Sequence, residues 1–506
     1  MLLTVFDLAV DVTKAVCAWC ATLRPLITEL FFPTVQGGRR LFGYGCTFLV
    51  MIVRLALFSA ALLPAWYQLI KYYAFSHQIE RGVCYGRRAR NVLDVYRPAV
   101  SAHGSMAPVV IFFTGGAWTI GYKAWGALLG RALAAHGVLV FCPDYRNFPN
   151  GRVGDMLVDV DAAIAWVFEH AAEYGGDVSR ITLCGQSAGA HLTAMTLLSH
   201  CDRSSTCDSG DRRFRASKET DVEPRGKSGQ AKSIRVKSRQ IKSRRRPSAE
   251  LASVSSEQRL EGRDQGPGTR ERHWTSADLA SAVLISGPYD LVSLSPLMHS
   301  RGLSMAVLHA IFNTEAQEAD GDHPYAAASA GVPYADPAAK VSRAQVSGRS
   351  TSSVREHLPP SSLLSAGDLD EAARRLRACS PTRVLDCLPP STPATAAWAA
   401  YLPPLLLLHG TKDKTCPHEQ SEAFHAALLR VGVQPERCVL KLYEGKTHTS
   451  PILEDPMGGT DLLASDLLDV VSGVPVSQGR SNAVQVGSRA MAPEACLRFA
   501  SWVGPF

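Results

Sequence analysis

The fold of this 506-residue chain is decided by an apolar run that ends in a glycine–serine–glycine turn, Ile181-Thr-Leu-Cys-Gly185-Gln186-Ser187-Ala188-Gly189-Ala190-His191. The run before Gly185 is typical of a buried strand, and the small residues after Ser187 are typical of the start of a helix. A serine on such a sharp strand-to-helix turn exposes its Oγ at the carboxyl edge of a sheet, because glycines on either side let neighbouring elements approach. The spacing therefore predicts that Ser187 is a nucleophile.

Other strand-like runs alternate with helical patterns along the chain. Short apolar runs rich in β-branched residues lie at 109–113, 138–141, 181–184, 282–285, 405–408 and 438–443. Residues 153–174 and 418–431 have the spacing of helices between them. Several of the runs are apolar on both faces, as in parallel strands covered by helices on both sides. The sequence thus predicts an α/β fold with a mostly parallel central sheet.

A serine nucleophile requires a base, and the base requires a carboxylate that orients it. His448 follows the run 438–443, and Asp413 follows the run 405–408, so both are expected in loops at the carboxyl ends of strands. The order Ser187, Asp413, His448 along the chain is that of α/β-hydrolases. These three residues are the predicted catalytic set, and the chemistry requires no metal or organic cofactor.

Other side chains near the same loops are candidates for these or related roles. Asp290 also follows a predicted strand and is the second choice for the acid. His409 abuts a buried strand and is interpreted as a structural histidine, and His191 lies one turn into the helix, where packing is expected. Asp144 and Arg146 could form a structural or a functional ion pair.

A glycine pair follows the predicted strand 109–113 in the run Thr114-Gly-Gly-Ala-Trp118. Such a pair can turn backbone N–H groups inward toward a developing oxyanion. The sequence predicts that the amides of Gly115 and Gly116, joined by that of Ala188, form an oxyanion hole.

The N-terminal part is apolar and carries few charges. Residues 41–73 hold Arg54 and Pro64, and the stretch is long enough to cross a bilayer core of about 30 Å as one tilted or kinked helix. A charge at Arg54 argues against deep insertion and would also suit a re-entrant hairpin. Residues 1–40 are predicted to contain an amphipathic helix. More basic residues follow the segment than precede it, which places the C-terminal body in the cytosol.

The net charge of +7 does not indicate a nucleic-acid-binding fold. Lys and Arg exceed Asp and Glu by eight over residues 201–273, so the rest of the chain carries −1. This stretch and residues 318–370 are of low complexity and are predicted to be disordered insertions. A hydrolase domain is therefore expected over 85–473, followed by a C-terminal extension over 474–506.

Four blocks of sequence resemble the isoprenylcysteine α-carbonyl methylesterases, described mainly in plants. The blocks are Thr114-Gly-Gly-Ala-Trp-Thr-Ile-Gly-Tyr-Lys-Ala-Trp-Gly126, Asp144-Tyr-Arg-Asn-Phe-Pro149, Gly185-Gln-Ser-Ala-Gly-Ala-His191 and Lys446-Thr-His448. The resemblance includes the apolar segment before the catalytic body. The two insertions and the C-terminal extension depart from the family pattern.

The resemblance implies a membrane-bound serine esterase of the endoplasmic reticulum or Golgi that hydrolyses the methyl ester of a C-terminal prenylated cysteine. Its partners would be that carboxyl-methylated substrate and membrane lipid. Carried over by position, the triad is Ser187, Asp413 and His448, and Ala117 and Gln186 join the residues that contact substrate around the oxyanion hole.

Three other functions remain open from the sequence. A general carboxylesterase or an arylformamidase would use the same residues on another acyl group. A hydrolase fold without activity would require the loss of a catalytic residue, whereas all three candidates are present. The basic insertion could bind anionic lipid or nucleic acid, but it lacks interleaved aromatic residues, and a solvated linker is favoured.

Overall fold

An eight-stranded sheet forms the centre of the protein in the computed structural model, which describes residues 53–98, 106–201, 274–301, 303, 305–313, 366–476 and 490–504. These residues belong to one compact unit. The strands are β1 (Ile79–Cys84), β2 (Val92–Tyr96), β3 (Ala107–Phe113), β4 (Leu139–Pro143), β5 (Gly176–Gln186), β6 (Ser281–Ile285), β7 (Leu405–Gly410) and β8 (Cys438–Tyr443). Their order in the sheet is β1-β2-β4-β3-β5-β6-β7-β8. Strand β2 is antiparallel to both neighbours and the remaining pairs are parallel, which confirms the predicted sheet.

Both faces of the sheet are buried. Successive side chains of a strand point to opposite faces. In β3, Val109, Ile111 and Phe113 pack into one apolar cluster, whereas Val110 and Phe112 pack into the other. Burial on both sides explains why the central strands are apolar almost throughout their length.

Helices cover the two faces. In chain order they are α1 (Val53–Ala61), α2 (Leu63–Phe75), α3 (Ala127–Ala135), α4 (Val153–His170), α5 (188–201), α6 (Leu291–Ser300), α7 (Met305–Ile311), α8 (Ala366–Ala378), α9 (Pro381–Asp386), α10 (Pro393–Ala400), α11 (Glu419–Arg430), α12 (Glu454–Gly458), α13 (Leu462–Val471) and α14 (Glu494–Val503). Met156 and Ile164 of α4 are buried on one face of the sheet, and Leu129 and Leu133 of α3 on the other. The helical spacing predicted for residues 153–174 thus places one side of α4 in the core.

The apolar segment predicted over 41–73 is described from residue 53 and forms two helices rather than one. Helices α1 and α2 meet at a bend of 71°. Pro64 occupies the first turn of α2, where proline fits a new helix start but not the middle of a continuous one. Among the described residues, no single helix has the length and apolar character to cross a membrane, and this bent pair passes on length and composition alone. A membrane-spanning segment therefore stays a prediction.

Arg54 of that segment contacts the C-terminal helix of the protein. Its guanidinium donates to the carbonyl oxygens of Val503 (2.9 Å) and Gly504 (2.8 Å) at the end of α14. A cation at this position balances the partial negative charge of the helix C-terminus. Ala500 and Val503 are also buried in the core. The described part of the extension predicted over 474–506 thus packs on the main body.

The predicted insertions lie almost wholly outside the described residues, as does the amphipathic segment predicted over 1–40. Cys201 is described and is the buried last residue of α5. Residues 366–370, assigned from the sequence to the second insertion, instead form the first turns of α8. Their small and acidic residues look like a loop in the sequence but are compatible with a helix N-terminus.

Candidate active site

Ser187 lies on a sharp turn between β5 and α5, as the sequence predicted. Its φ is 53°, in the left-handed region that a serine rarely adopts. Its backbone N–H donates to the carbonyl oxygen of Ile285, at the end of the neighbouring strand β6, over 2.8 Å. The turn therefore holds Ser187 at the carboxyl edge of the sheet in a conformation that the surrounding structure must stabilise.

The two glycines that flank Ser187 are required by close packing. A Cβ atom on Gly189 would overlap the backbone carbonyl of Phe113, at the end of β3. A Cβ atom on Gly185 would lie 2.6 Å from the carbonyl oxygen of Gly189 and 2.7 Å from the hydroxyl of Thr193. The glycine–serine–glycine spacing thus reflects the contact of α5 with two strands.

His448 lies in the loop after β8 and contacts both other predicted residues. Its Nε2 is 2.9 Å from the Oγ of Ser187, and its Nδ1 is 2.6 Å from the Oδ2 of Asp413. Because the carboxylate can only accept, Nδ1 carries the hydrogen and Nε2 is free to accept a proton from the serine hydroxyl. Residues 187, 413 and 448, far apart in the sequence, are therefore brought together as nucleophile, acid and base require.

Asp413 is held in the loop after β7 by hydrogen bonds to both carboxylate oxygens. Oδ1 accepts the backbone N–H groups of Thr415 (2.8 Å) and Cys416 (2.9 Å). Burial alone would raise the pKa of Asp413, but the charge of His448 and hydrogen bonds from His409 and His448 hold it well below its usual range. Asp413 is therefore a carboxylate at neutral pH.

The alternative acid, Asp290, has a different role. Its Oδ1 accepts the N–H groups of Val292 and Ser293, so it caps the N-terminus of α6. Its Oδ2 lies 2.8 Å from the guanidinium of Arg383. Asp413, not Asp290, is the carboxylate that contacts His448.

The predicted oxyanion loop lies directly against the nucleophile. A Cβ atom on Gly115 would be 2.8 Å from the Cβ of Ser187 and would overlap the side chain of Gln186. The next three residues have positive φ values, 140° at Gly116, 47° at Ala117 and 60° at Trp118. Non-glycine residues with positive φ are strained, and such strain is common where backbone groups are positioned for function.

Two further predicted contacts belong to the same region. Ala188 is the buried first residue of α5, where backbone N–H groups have no partner within the helix. The Nε2 of Gln186 is 3.5 Å from the Nε2 of His448, the longest hydrogen-bonding contact in the site. Both residues lie next to Ser187 in the chain, and their part in an oxyanion hole stays a prediction.

Trp118 anchors the loop in the core, a role not recognised from the sequence. Its indole N–H donates to the Nδ1 of His191 over 3.2 Å, and the Nε2 of that ring donates to the carbonyl oxygen of Cys379 over 2.7 Å. Burial lowers the pKa of His191 to about 4, so the ring is neutral and can accept the indole hydrogen. The predicted packing role of His191 thus includes support of the loop beside Ser187.

Gly121, at the other end of this loop, is fixed by two side chains. Its carbonyl oxygen accepts from Arg90 (2.6 Å) and Asn147 (2.7 Å). Arg90 also pairs with Asp144 over 3.1 Å, whereas Arg146 pairs with two other aspartates. The sequence suggested an ion pair between Asp144 and Arg146, and that pairing is wrong.

The described residues contain no group of three His, Cys, Asp or Glu side chains placed to hold a metal.

The site can be compared with known proteins. A family model described as BD-FAE matches residues 93–237. A protein of Oryza sativa subsp. japonica, named probable isoprenylcysteine alpha-carbonyl methylesterase ICMEL1, is 32% identical over 469 residues, which are 92% of this chain and 80% of that protein. The chain belongs to the isoprenylcysteine α-carbonyl methylesterase family. Isoprenylcysteine alpha-carbonyl methylesterase ICME of Arabidopsis thaliana is 29% identical over 482 residues, covering 95% of this chain and 82% of that protein.

As a member of the methylesterase family, this chain is a carboxylic-ester hydrolase with the α/β-hydrolase fold. Esterase LipQ of Mycobacterium tuberculosis is 44% identical over a shorter stretch of 121 residues, which is 23% of this chain and 28% of that protein. A solved structure of esterase B from Lactobacillus rhamnosis aligns with a TM-score of 0.43 and 15% identity over 84% of this chain and 96% of that chain.

Proposed function

We propose that this enzyme hydrolyses the methyl ester of C-terminal prenylated cysteine, using Ser187, His448 and Asp413 as its catalytic triad. The observation that carries the proposal is the continuous set of contacts from the serine Oγ through both ring nitrogens of His448 to the carboxylate. The substrate class is supported by the names of the family members to which the chain is similar.

The reaction begins when the Ser187 Oγ attacks the ester carbonyl carbon and its proton passes to the Nε2 of His448. Asp413 stabilises the imidazolium that forms, and the amides of Gly115, Gly116 and Ala188 stabilise the tetrahedral oxyanion. The imidazolium then protonates the departing methoxide, which leaves as methanol. Water, deprotonated by His448, attacks the acyl-enzyme and releases the carboxylic acid, and the proton returns to Ser187.

Apolar side chains near the oxyanion loop suit a lipophilic substrate. Ile120 is 61% exposed and Trp125 is 44% exposed, although large apolar residues are usually buried. The indole of Trp125 donates to the carbonyl oxygen of Ile120, and that carbonyl group is next to Gly116. We expect this pair to contact the prenyl chain.

The enzyme is further proposed to act at the membrane of the endoplasmic reticulum or Golgi, with its catalytic body in the cytosol. Helices α1, α2 and α14 carry exposed apolar side chains on their outer faces, namely Val53, Leu55, Leu57, Leu63, Tyr67, Ile70, Phe75, Phe499 and Trp502. A prenyl group partitions into lipid, so an enzyme held at the interface would meet its substrate there. Microscopy of the tagged full chain with organelle markers tests this location.

The decisive experiment measures methanol release from farnesylcysteine methyl ester by membranes that contain the wild type, Ser187→Ala or Ser199→Ala. Ser199 lies on the same helix, and its hydroxyl donates to the backbone carbonyl of Thr196 in that helix, so it serves as the matched control. We expect release by the wild type and Ser199→Ala and none by Ser187→Ala. Release by Ser187→Ala would refute the assignment of the nucleophile.

A second outcome of these assays would keep Ser187 as the nucleophile but exclude the prenylcysteine ester as the substrate. The high identity to Esterase LipQ over 121 residues favours a general carboxylesterase as the second candidate function. Labelling of Ser187 by a fluorophosphonate and cleavage of p-nitrophenyl butyrate, without methanol release from the prenylcysteine ester, would establish that candidate. Release of formate from an N-formylated aromatic amine by the same membranes tests whether the enzyme is an arylformamidase.

A further inference from the structure

A second histidine contacts the carboxylate of Asp413. The Oδ2 atom that faces the Nδ1 of His448 at 2.6 Å also lies 3.1 Å from the Nε2 of His409. His409 is the next-to-last residue of β7 and is completely buried. Together with the two backbone amides on Oδ1, this contact gives the carboxylate four hydrogen bonds.

The hydrogen-bond network requires that Nε2 of His409 carries a hydrogen. Its Nε2 lies 2.7 Å from the carbonyl oxygen of Cys416 as well as near Asp413, and both of these partners only accept. Nε2 must therefore carry the hydrogen and donate it between them. The Nδ1 of the same ring then accepts from the hydroxyl of Ser421, 2.7 Å away. Each nitrogen of a neutral ring is thus satisfied by this arrangement.

We propose that His409 is a positioning residue for ester hydrolysis, because its N–H fixes the orientation of Asp413 and draws charge away from the oxygen that faces His448. The proposal rests on the triad proposed above but not on the prenyl substrate. A second donor on Oδ2 weakens the hold of the carboxylate on the His448 proton.

The loops around Asp413 leave it little freedom apart from these contacts. A Cβ atom on Gly410 would overlap the backbone of Lys446, so the loops after β7 and β8 touch.

The charged and titratable groups that face Asp413 from the packed elements are His409, His448 and Arg301, with the thiol of Cys416. Burial and the charge of Asp413 raise the pKa of Cys416 well above its usual value, so this thiol stays neutral.

The test measures the rate at which a fluorophosphonate labels Ser187 as a function of pH. In this reaction the serine oxygen bonds to phosphorus, fluoride leaves and His448 takes the serine proton, so no natural substrate is needed. The variants are His409→Phe, which removes the donor, and His409→Gln, whose amide N–H2 can occupy the place of Nε2. The control is His200→Phe, because His200 is also buried and bonds a carboxylate, that of Asp161, outside the site.

Loss of the His409 donor has a defined kinetic signature. For His409→Phe we expect the labelling rate at neutral pH to fall by up to about 10²-fold, the cost of a misplacement of catalytic groups by about 1 Å. The acidic side of its pH–rate profile should move to higher pH. Without the His409 donor, the carboxylate of Asp413 holds the His448 proton more tightly. His409→Gln should restore most of both properties, and His200→Phe should reduce stability alone.

Two results would contradict the role proposed for His409 or the triad on which it rests. An unchanged acidic side of the pH–rate profile in His409→Phe, with a rate loss no larger than that of His200→Phe, would overturn the proposal and leave His409 a packing residue. Absence of labelling in the folded wild type would instead refute the triad itself. If His409→Phe does not fold, His409→Asn gives the same comparison, because its shorter side chain cannot reach both acceptors.

Discussion

At the scale of the residue, the identity of the acid is the point on which the triad can be tested most directly. Replacement of Asp413 by Asn keeps the shape but removes the charge that stabilises the His448 imidazolium, and the amide favours the wrong tautomer. We expect kcat for ester hydrolysis to fall by about 10⁴-fold, the size of the loss when asparagine replaces the orienting aspartate of a serine protease triad. Initial rates of ester hydrolysis measure the loss of kcat, and circular dichroism checks that the variant is folded.

The matched control is Asp290→Asn, because Asp290 was the competing candidate from the sequence. Asparagine also caps helices, and the pair with Arg383 is partly exposed, so stability should change by about 1 kcal/mol or less. The rate should not change. A larger loss of rate in Asp290→Asn than in Asp413→Asn would reverse the assignment.

The sequence could predict Ser187, Asp413 and His448 because each follows a strand of a parallel sheet, where loops converge by topology. For the same reason, the sequence could predict that Gly115 and Gly116, which follow β3, lie beside Ser187. It could not predict that His409 contacts Asp413, because that contact depends on how the loop folds back over β7. Nor could it predict the path from Trp118 through His191 to Cys379, which joins residues up to 261 positions apart.

At the scale of the element, the loop that carries His448 ends in a short helix, α12, whose first residue is a buried acid. Glu454 accepts a hydrogen bond from Thr449 over 2.9 Å, and its other oxygen has no hydrogen-bond partner in the described part of the chain. Burial raises the pKa of Glu454 to about 7, with the charge of Asp455 adding to the effect and Lys446 opposing it.

This raised pKa sets the direction of a pH dependence. An ordinary glutamate titrates near pH 4.3, so the folded state holds this proton more tightly than the unfolded chain. Its contribution to stability is complete below about pH 4 and is lost as the pH rises through 7, by up to about 3 kcal/mol. Glutamine mimics the protonated acid, so Glu454→Gln should gain stability over the wild type between pH 5 and 7.5.

Urea unfolding at several pH values measures the difference in the free energy of unfolding. Glu444→Gln is the control, because Glu444 is exposed in the loop after β8. A Glu454→Gln difference that is constant with pH would contradict the argument.

The elements themselves were predictable where a strand is buried on both faces. All six predicted strands are present, whereas β1 and β2 were missed. Most of β1 is exposed at the edge of the sheet, so its pattern is weak. Strand β2 carries the buried Asp94 at its centre, and the partner that makes this burial possible, Lys123 at 2.6 Å, lies 29 residues further along the chain.

At the scale of the whole molecule, parts predicted as separate segments form one body in the described residues. Tyr73, near the end of α2, donates to Asp94 over 2.6 Å, and the same carboxylate pairs with Lys123 just after the oxyanion loop. Arg54 of α1 contacts α14, about 450 residues away. Such distant partners leave no local signal, so the sequence could not predict the contacts of Arg54.

The membrane association proposed above predicts that one face of α2 contacts lipid. Leu63, Tyr67 and Ile70 follow helical spacing and are 62%, 69% and 57% exposed, whereas Ala65 and Leu69 on the other side are buried. Because the three exposed side chains contribute little to the core, replacing all of them by serine should leave the fold intact. It should weaken binding to phosphatidylcholine vesicles at least tenfold, since a fully buried apolar side chain contributes about 1.5–3 kcal/mol.

Vesicle flotation of the full-length wild type and the triple variant measures this difference. The control replaces Met106 and Leu442 by serine, because these exposed apolar residues belong to other parts of the chain, Met106 just before β3 and Leu442 on β8. The control should float as the wild type does. Equal flotation of the triple variant would contradict the proposed contact of α2 with lipid. Ser187 labelling should be the same in all three proteins, since a change in catalytic competence would mean that the substitutions had disturbed the fold rather than the membrane contact.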